Sequence, residues 1–153
     1  MNNGLLGFAI YLAAKAHKDD LDKGGKPYIL HPLRLMMRLD QTDPELLQIA
    51  VMHDVFEDHP ELYTLKDLEE FQFSPRVINA LTLLTHKKGV PYEDYIKLIG
   101  TNRDATIVKL EDLKDNSDIT RLKGISEKDL QRTQRYHKAF MYLTNLLNSS
   151  IYQ

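Results

Sequence analysis

Helix-capping residues recur along this sequence, and they predict a chain built from helices. Asp43-Pro44 and Ser74-Pro75 each place a capping side chain before a proline at the first helical position. Ser126 and Asp129 have the spacing of a capping box in front of a long final segment. Strand signals are weak, because no alternating run is bounded by hairpin turns. The sequence therefore predicts an all-α fold of roughly seven to nine helices.

Apolar spacing gives the extent of these helices. The length of 153 residues and the hydrophobic content of 42% fit one domain with a real core. Gly24, Gly25 and Pro27 indicate a loop over about 19–27. The predicted helices cover about 4–18, 32–40, 43–57, 64–71, 74–85, 91–99, 104–115 and 126–147.

Charge and composition exclude several classes of protein. Lys plus Arg is 20 and Asp plus Glu is 22, and this balance argues against a dedicated nucleic-acid binder while leaving room for a small anionic substrate. The chain has no cysteine, so any metal must use nitrogen and oxygen ligands. No apolar run approaches the roughly 20 residues of a membrane span, and the first residues lack the features of a secretory signal. We therefore expect a cytoplasmic protein without a membrane partner.

The third predicted helix ends in a concentration of polar groups. The apolar segment 46–52 runs directly into His53, Asp54, Glu57 and Asp58. Burying an imidazole and three carboxylates together is costly unless a cation compensates, and a divalent metal does so. A second interpretation stays open on this segment alone, namely a hydrogen-bonded histidine at a helix end followed by a solvated terminus.

Two distant segments favour the metal. His31 follows an apolar approach, and Asp112 ends another apolar helical stretch, with Asp115 and Asn116 on its face. Together with His53 and Asp54, these residues supply two imidazoles and two carboxylates. That set suits Mn²⁺, Fe²⁺ or Zn²⁺ and leaves positions for water and substrate.

These motifs resemble the HD phosphohydrolase superfamily, and within it the hydrolase domain of the Rel/SpoT alarmone enzymes and the stand-alone small alarmone hydrolases. The similarity extends from about residue 5 to residue 143. HDxxED together with the upstream PYxxHP is the specific element. The matching segments are Ala13-Ala14-Lys15-Ala16-His17, Gly25-Lys26-Pro27-Tyr28-Ile29-Leu30-His31-Pro32, His53-Asp54-Val55-Phe56-Glu57-Asp58 and Val108-Lys109-Leu110-Glu111-Asp112.

The resemblance implies a single HD-type domain over 1–153 and a reaction. The implied reaction is hydrolysis of the 3′-diphosphate of guanosine tetraphosphate (ppGpp) to GDP and pyrophosphate. It further implies that Glu57 and Asp58 form the catalytic pair, and that the metal is Mn²⁺. The implied metal ligands are His31, His53, Asp54 and Asp112.

Substrate contacts are also implied by the resemblance. Lys23 and Lys26 match a basic loop near the guanine, and Asn116 matches an asparagine that helps to hold the nucleoside. Tyr28 and Lys109 lie in matching motif positions, and the lysines would neutralise phosphate charge. The chain departs from the family at 112–116, where Asp-Leu-Lys-Asp-Asn replaces the frequent Asp-Arg-Leu-His-Asn.

Two other functions remain open. One is an HD hydrolase of another nucleotide, such as a nucleotidase or an NADPH phosphatase, and the departure around Asp115 motivates it. The other is a non-catalytic nucleotide-binding HD protein, against which the presence of both Glu57 and Asp58 argues. All three readings expect a small-molecule nucleotide partner, and the sequence makes no prediction of oligomeric state.

Several basic and aromatic residues are predicted to lie outside the site. Arg132, Arg135 and Lys138 form a basic stripe on the last helix, which we interpret as a solvated face. Tyr92, Tyr95, Tyr136 and Tyr142 are interpreted as packing residues. The segment 85–92 is interpreted as an interhelical turn, with a rim of the pocket as the alternative.

Overall fold

The helices predicted from the capping signals are present in the structure. A computed structural model describes residues 3–149 of the chain. Within this range lie nine α-helices and a 3-10 helix at Ile119–Arg121. The α-helices are α1 Asn3–Ala16, α2 Leu30–Arg38, α3 Pro44–Met52, α4 Val55–Asp58, α5 Asp67–Glu70, α6 Pro75–Leu84, α7 Tyr92–Ile99, α8 Arg103–Asn116 and α9 Glu127–Asn148.

The all-α fold class is confirmed. In the described range, strand-like pairing amounts to one isolated bridge between Leu21 and Pro27. The predicted caps act as expected: the Asp43 side chain accepts from Leu46 N, the Ser74 side chain accepts from Val77 N, and Ser126 forms a complete capping box. No helix among residues 3–149 combines the length and apolarity needed to cross a bilayer.

Helix α3 lies at the centre of the packing. Every residue from Leu46 to Met52 is buried, and the helix packs against α1, α2, α6 and α8. A helix that is apolar on all sides is stable only when other elements surround it. Because α2 and α8 both flank α3, the residues that they carry are brought towards its C-terminal end.

The third helix is shorter than predicted. Instead of running through about residue 57, it ends at Met52, and α4 begins at Val55. Asp54 between them has φ −104° and ψ −9°. Successive side chains on a regular helix point about 100° apart, so they do not face one point. The break allows His53 and Asp54 to be directed together.

An ion-pair network, which we call the Arg76 clamp, joins the N-terminal ends of three helices. Arg76 in the first turn of α6 donates to Asp43 at the start of α3 with a distance of 2.7 Å. It also forms a two-pronged contact with Asp104 in the first turn of α8 at 2.8 and 2.9 Å. Glu45 lies 3.3 Å from the same guanidinium. The clamp fixes α3 and α8 relative to each other at the ends where they begin.

Candidate metal centre and adjoining cavities

Four side chains from three segments converge in the interior. His31 comes from the first turn of α2, His53 and Asp54 from the break after α3, and Asp112 from α8. One ligand atom from each lies within 4.8 Å of all the others. His31, His53 and Asp112 are buried, and Asp54 is partly exposed. The structure thus brings together the four residues predicted as metal ligands, although their role as ligands stays a prediction.

The spacing of these atoms fits a shared ion. His53 Nε2 lies 2.9 Å from Asp54 Oδ2, and His31 Nε2 lies 3.1 Å from Asp112 Oδ1. The two Nε2 atoms are 3.3 Å apart. Ligand atoms held about 2.1 Å from one ion lie about 3.0–3.4 Å from each other. Two other pairs are slightly wider, with His31 Nε2 3.7 Å from Asp54 Oδ2 and His53 Nε2 3.6 Å from Asp112 Oδ1, so the donor set is close to the dimensions that one divalent ion requires.

The hydrogen bonds made by Nδ1 of His31 and of His53 determine whether Nε2 of each ring has a free lone pair. His53 Nδ1 lies 2.8 Å from the Ala50 carbonyl oxygen, which can only accept, so this nitrogen carries the proton. His31 Nδ1 lies 2.7 Å from Asp115 Oδ2 and donates in the same way. In neutral imidazoles both Nε2 atoms then present lone pairs towards carboxylate oxygens. Four electron-rich atoms without a proton between them call for a cation.

Protons are the competing cations at this centre. Burial lowers the pKa of His53, but the charge of Asp54 and a hydrogen bond to Asp112 outweigh it and raise the pKa well above its usual value. For Asp112, burial opposes ionisation, but the Lys109 charge and both imidazoles hold its pKa well below the usual range. A metal must displace protons from the imidazoles to bind here.

Three residues predicted as substrate contacts bond directly to the candidate ligands. Lys109 Nζ donates to Asp112 Oδ2 at 2.7 Å, and Asn116 Nδ2 donates to Asp112 Oδ1 at 2.6 Å. The Tyr28 hydroxyl donates to Asp54 Oδ2. In this structure these groups orient the two carboxylates, so any contact with substrate would be made in addition to that role.

The predicted catalytic pair points into two different spaces. Glu57 Oε1 accepts from the His86 backbone N–H at 2.6 Å, and burial raises the pKa of Glu57. Asp58 lines a shallow depression with Tyr28 and His59. Burial, followed by the charges of Asp54 and Glu57, raises the pKa of Asp58 to about 7. The two carboxyl groups are therefore not equivalent.

Two cavities adjoin the centre. The loop-side cavity, about 300 Å³, includes Lys23, Tyr28, His31, Asn116, Arg121, Arg132 and Tyr136 in its lining. The α7-side cavity, about 320 Å³, includes Asp54, Glu57, His86, Tyr92, Tyr95, Lys109, Asp112, Asn116, Arg135 and Tyr136. Asn116 and Tyr136 line both, so the two cavities are neighbours with a shared wall. Lys26 is exposed and lines neither of them.

Helix α9 contributes more to these cavities than the sequence predicted. The interpretation of its basic stripe as a solvated face is wrong for Arg132, which is largely buried and pairs with Asp129 at 2.5 Å. Arg135 is exposed but faces the α7-side cavity and lies 5.0 Å from the Tyr92 ring centre. Lys138 is solvated and pairs with Glu93.

Segment 85–92 and the start of α7 form part of the wall of the α7-side cavity. His86 stacks on Tyr95 with ring centres 4.2 Å apart, and both line the α7-side cavity along with Tyr92. Sequence reasoning missed Arg121 altogether. It belongs to the 3-10 helix, and no motif or periodic face marks it. Its distance of 3.4 Å from Asp115 is a contact that only the folded chain reveals.

Comparison with known proteins gives consistent matches. The chain is 32% identical over 118 residues to the guanosine-3′,5′-bis(diphosphate) 3′-pyrophosphohydrolase of Aquifex aeolicus, covering 71% of this chain and 16% of the relative. It is 30% identical over 131 residues to the protein of that name from Haemophilus influenzae, covering 79% and 19%. The bifunctional (p)ppGpp synthase/hydrolase SpoT of Escherichia coli K12 is 40% identical over 63 residues, covering 39% and 9%.

A solved structure supports the fold. It belongs to a metazoan ortholog of SpoT, described as hydrolysing ppGpp and acting in starvation responses. The TM-score is 0.72 at 21% identity, with 94% of this chain and 91% of the other covered. No family model matches the chain. The chain spans less than a fifth of the length of the first two curated relatives.

Proposed function

This chain belongs to the Rel/SpoT-type family of guanosine-3′,5′-bis(diphosphate) 3′-pyrophosphohydrolases, and from that premise we propose that it removes the 3′-diphosphate of ppGpp. Water attacks the phosphorus attached to O3′, the P–O3′ bond breaks, and the products are GDP and pyrophosphate. We propose that the chain acts as one HD-type domain. The observation that carries the proposal is the convergence of two imidazole Nε2 atoms and two carboxylates on one point.

We propose Mn²⁺ as the ion and His31, His53, Asp54 and Asp112 as its ligands. A mixed nitrogen and oxygen set with buried carboxylates suits this metal. When bound, a divalent ion lowers the pKa of water and polarises a phosphoryl oxygen. Lys109, Asn116 and Tyr28 hold the two carboxylates in place through their hydrogen bonds.

We propose that Glu57 and Asp58 move the protons of the reaction. The attacking water must lose a proton, and O3′ must gain one when it leaves. Both carboxyl groups have raised pKa values because they are partly buried, and that of Asp58 is about 7. A carboxyl group with a pKa near neutrality can hold a proton and also release it at cellular pH. The Glu57 contact with the His86 N–H fixes that side chain at the edge of the α7-side cavity.

The charges of the two cavities suit a molecule with phosphates at both ends. Lys23, Arg121 and Arg132 line the loop-side cavity, while Lys109 and Arg135 line the α7-side cavity. The pKa of Lys23 is lowered, first by burial and then by repulsion from the Arg132 charge. An anion placed among them relieves that repulsion. Because the two cavities are neighbours, we propose that one nucleotide extends across Asn116 and Tyr136 into both.

The test is turnover of a nucleotide panel with purified full-length protein and Mn²⁺. We expect ppGpp to give GDP and pyrophosphate, resolved by anion-exchange chromatography. Asp54→Ala should abolish turnover, whereas Asp94→Ala, a matched change on the exposed face of α7, should retain it. Release of a different product from another nucleotide would favour the second hydrolase reading. Full activity and unchanged metal content in Asp54→Ala would overturn the assignment of the centre.

A further inference from the structure

One buried carboxylate outside the proposed ligand set bonds to a proposed ligand, His31, at the ring nitrogen that faces away from the centre. Asp115 on α8 is 2% exposed, and its Oδ2 lies 2.7 Å from His31 Nδ1. Arg34 donates to both oxygens, from Nε at 2.9 Å and from Nη2 at 2.8 Å. Arg38 and Arg121 also approach, at 3.2 and 3.4 Å. We call these five residues the Asp115 cluster.

The arginines of the cluster compensate the buried negative charge of Asp115. A lone carboxylate buried beside a centre that already holds Asp54 and Asp112 would add repulsion and an unmet desolvation cost. The three guanidinium groups supply that compensation. The two-pronged contact with Arg34 also fixes the plane of the carboxylate, because the guanidinium and the carboxylate match in geometry. Asp115 is thus held in one orientation with Oδ2 directed at His31.

The register of α8 brings Asp115 to this position. The side chain lies one helical turn beyond Asp112, on the same face of α8. One helix therefore carries both a proposed ligand and a carboxylate that bonds to a ligand from α2.

We propose that Asp115 is a positioning residue that fixes the tautomer and ring orientation of His31, so that Nε2 faces the metal centre; this rests on the proposed function. Nδ1 keeps its proton because it donates to Asp115, and Nε2 therefore keeps its lone pair for the ion. Nε2 is aimed at the point where Asp112 Oδ1 and His53 Nε2 also converge, at 3.1 and 3.3 Å. Carboxylate partners of this kind usually change metal affinity about 10–100-fold when they are removed.

The experiment compares two aspartates on the same helix. Asp115→Asn weakens the acceptor for His31, whereas Asp104→Asn removes an equivalent two-pronged contact with arginine but touches no histidine. Mn²⁺ dissociation constants are measured by electron paramagnetic resonance of the free ion, on full-length protein whose folding is checked by circular dichroism. We expect the Kd of Asp115→Asn to rise about 10–100-fold and that of Asp104→Asn to stay close to wild type.

The outcomes separate this inference from the function on which it rests. Equal Mn²⁺ affinity in folded Asp115→Asn and in wild type overturns the positioning role and leaves the centre intact. Absence of Mn²⁺ binding by the wild type overturns the centre itself, and the positioning role with it.

A measurement on the wild type covers the case in which Asp115→Asn does not fold. Two-bond ¹H–¹⁵N correlation spectra of metal-free protein, at a pH where His31 is neutral, report which nitrogen of His31 carries the proton. A proton on Nδ1 supports the proposal. A proton on Nε2, or rapid exchange between the two tautomers, contradicts it.

Discussion

Removing the divalent ion should lower the melting temperature of the protein by several degrees. The proposed ligands come from α2, from the break after α3 and from α8, so the unfolded chain cannot hold them together. An ion that binds only the folded state at 100 times its Kd stabilises that state by about 2.7 kcal/mol. For a chain of this length, about 1 kcal/mol corresponds to about 2–4 °C. The expected difference between Mn²⁺-saturated and EDTA-treated protein is therefore about 5–11 °C.

The assay is thermal unfolding followed by circular dichroism at 222 nm, at fixed pH and with Mn²⁺ or EDTA. Asp104→Asn provides the control, because it weakens the Arg76 clamp but retains the centre and should keep the Mn²⁺-dependent shift. His53→Ala removes a ligand and should lose that shift. Identical melting temperatures with Mn²⁺ and with EDTA, or an undiminished shift in His53→Ala, would refute the reasoning.

Two further predictions concern the charges that flank the centre. Lys109→Met leaves the buried carboxylate of Asp112 without its 2.7 Å partner, so the EDTA-treated protein should lose about 3 kcal/mol in urea unfolding. Mn²⁺ should recover part of that loss. Lys97→Met on the exposed face of α7 is the control. An equal loss of stability with and without Mn²⁺ would contradict the proposed role of Lys109 as the charge partner of Asp112. The hydrogen bond from Arg76 lowers the pKa of Asp43, so its contribution to stability is present above the unfolded pKa and is lost as the pH falls through the folded value. Wild type should therefore lose more stability between pH 5 and pH 3 than Asp43→Asn, and parallel urea midpoints for the two proteins would show that this pair does not titrate as described.

Local signals allowed the helix starts to be predicted closely. α3, α6 and α9 begin within a residue of the capping signals at Asp43, Ser74 and Ser126, because a cap is satisfied by backbone groups only two or three residues away. The break at His53-Asp54 was not predicted. The apolar periodicity continues across it, and Asp58 N still bonds to Asp54 O. The break depends on packing against distant elements, so the local pattern of apolar residues does not predict it.

The candidate site also has parts that local sequence motifs predict and parts that depend on long-range packing. Residues in compact motifs could be predicted to lie together, and the structure places His31, His53, Asp54 and Asp112 around one point. The surrounding walls could not be predicted, because Arg121 and Arg132 come from segments that carry no motif. The position of Arg132 depends on how α9 packs along α8, which is a long-range property of the fold. Arg121 lies on the 3-10 helix between these two helices.

The Arg76 clamp has a mechanical consequence for the centre. From Asp43 to His53 and from Asp104 to Asp112, the two helices extend about 12–15 Å at 1.5 Å per residue. Both helices begin at the clamp, so a tilt of about 5° of either helix there would move its other end by about 1 Å. Metal sites tolerate only about 0.2 Å in ligand distance, so loss of Arg76, which frees both helices at once, should displace the ligands. Asp104→Asn keeps the Arg76 contact with Asp43 and an amide oxygen on α8 that can still accept from Arg76, so it leaves the centre in place.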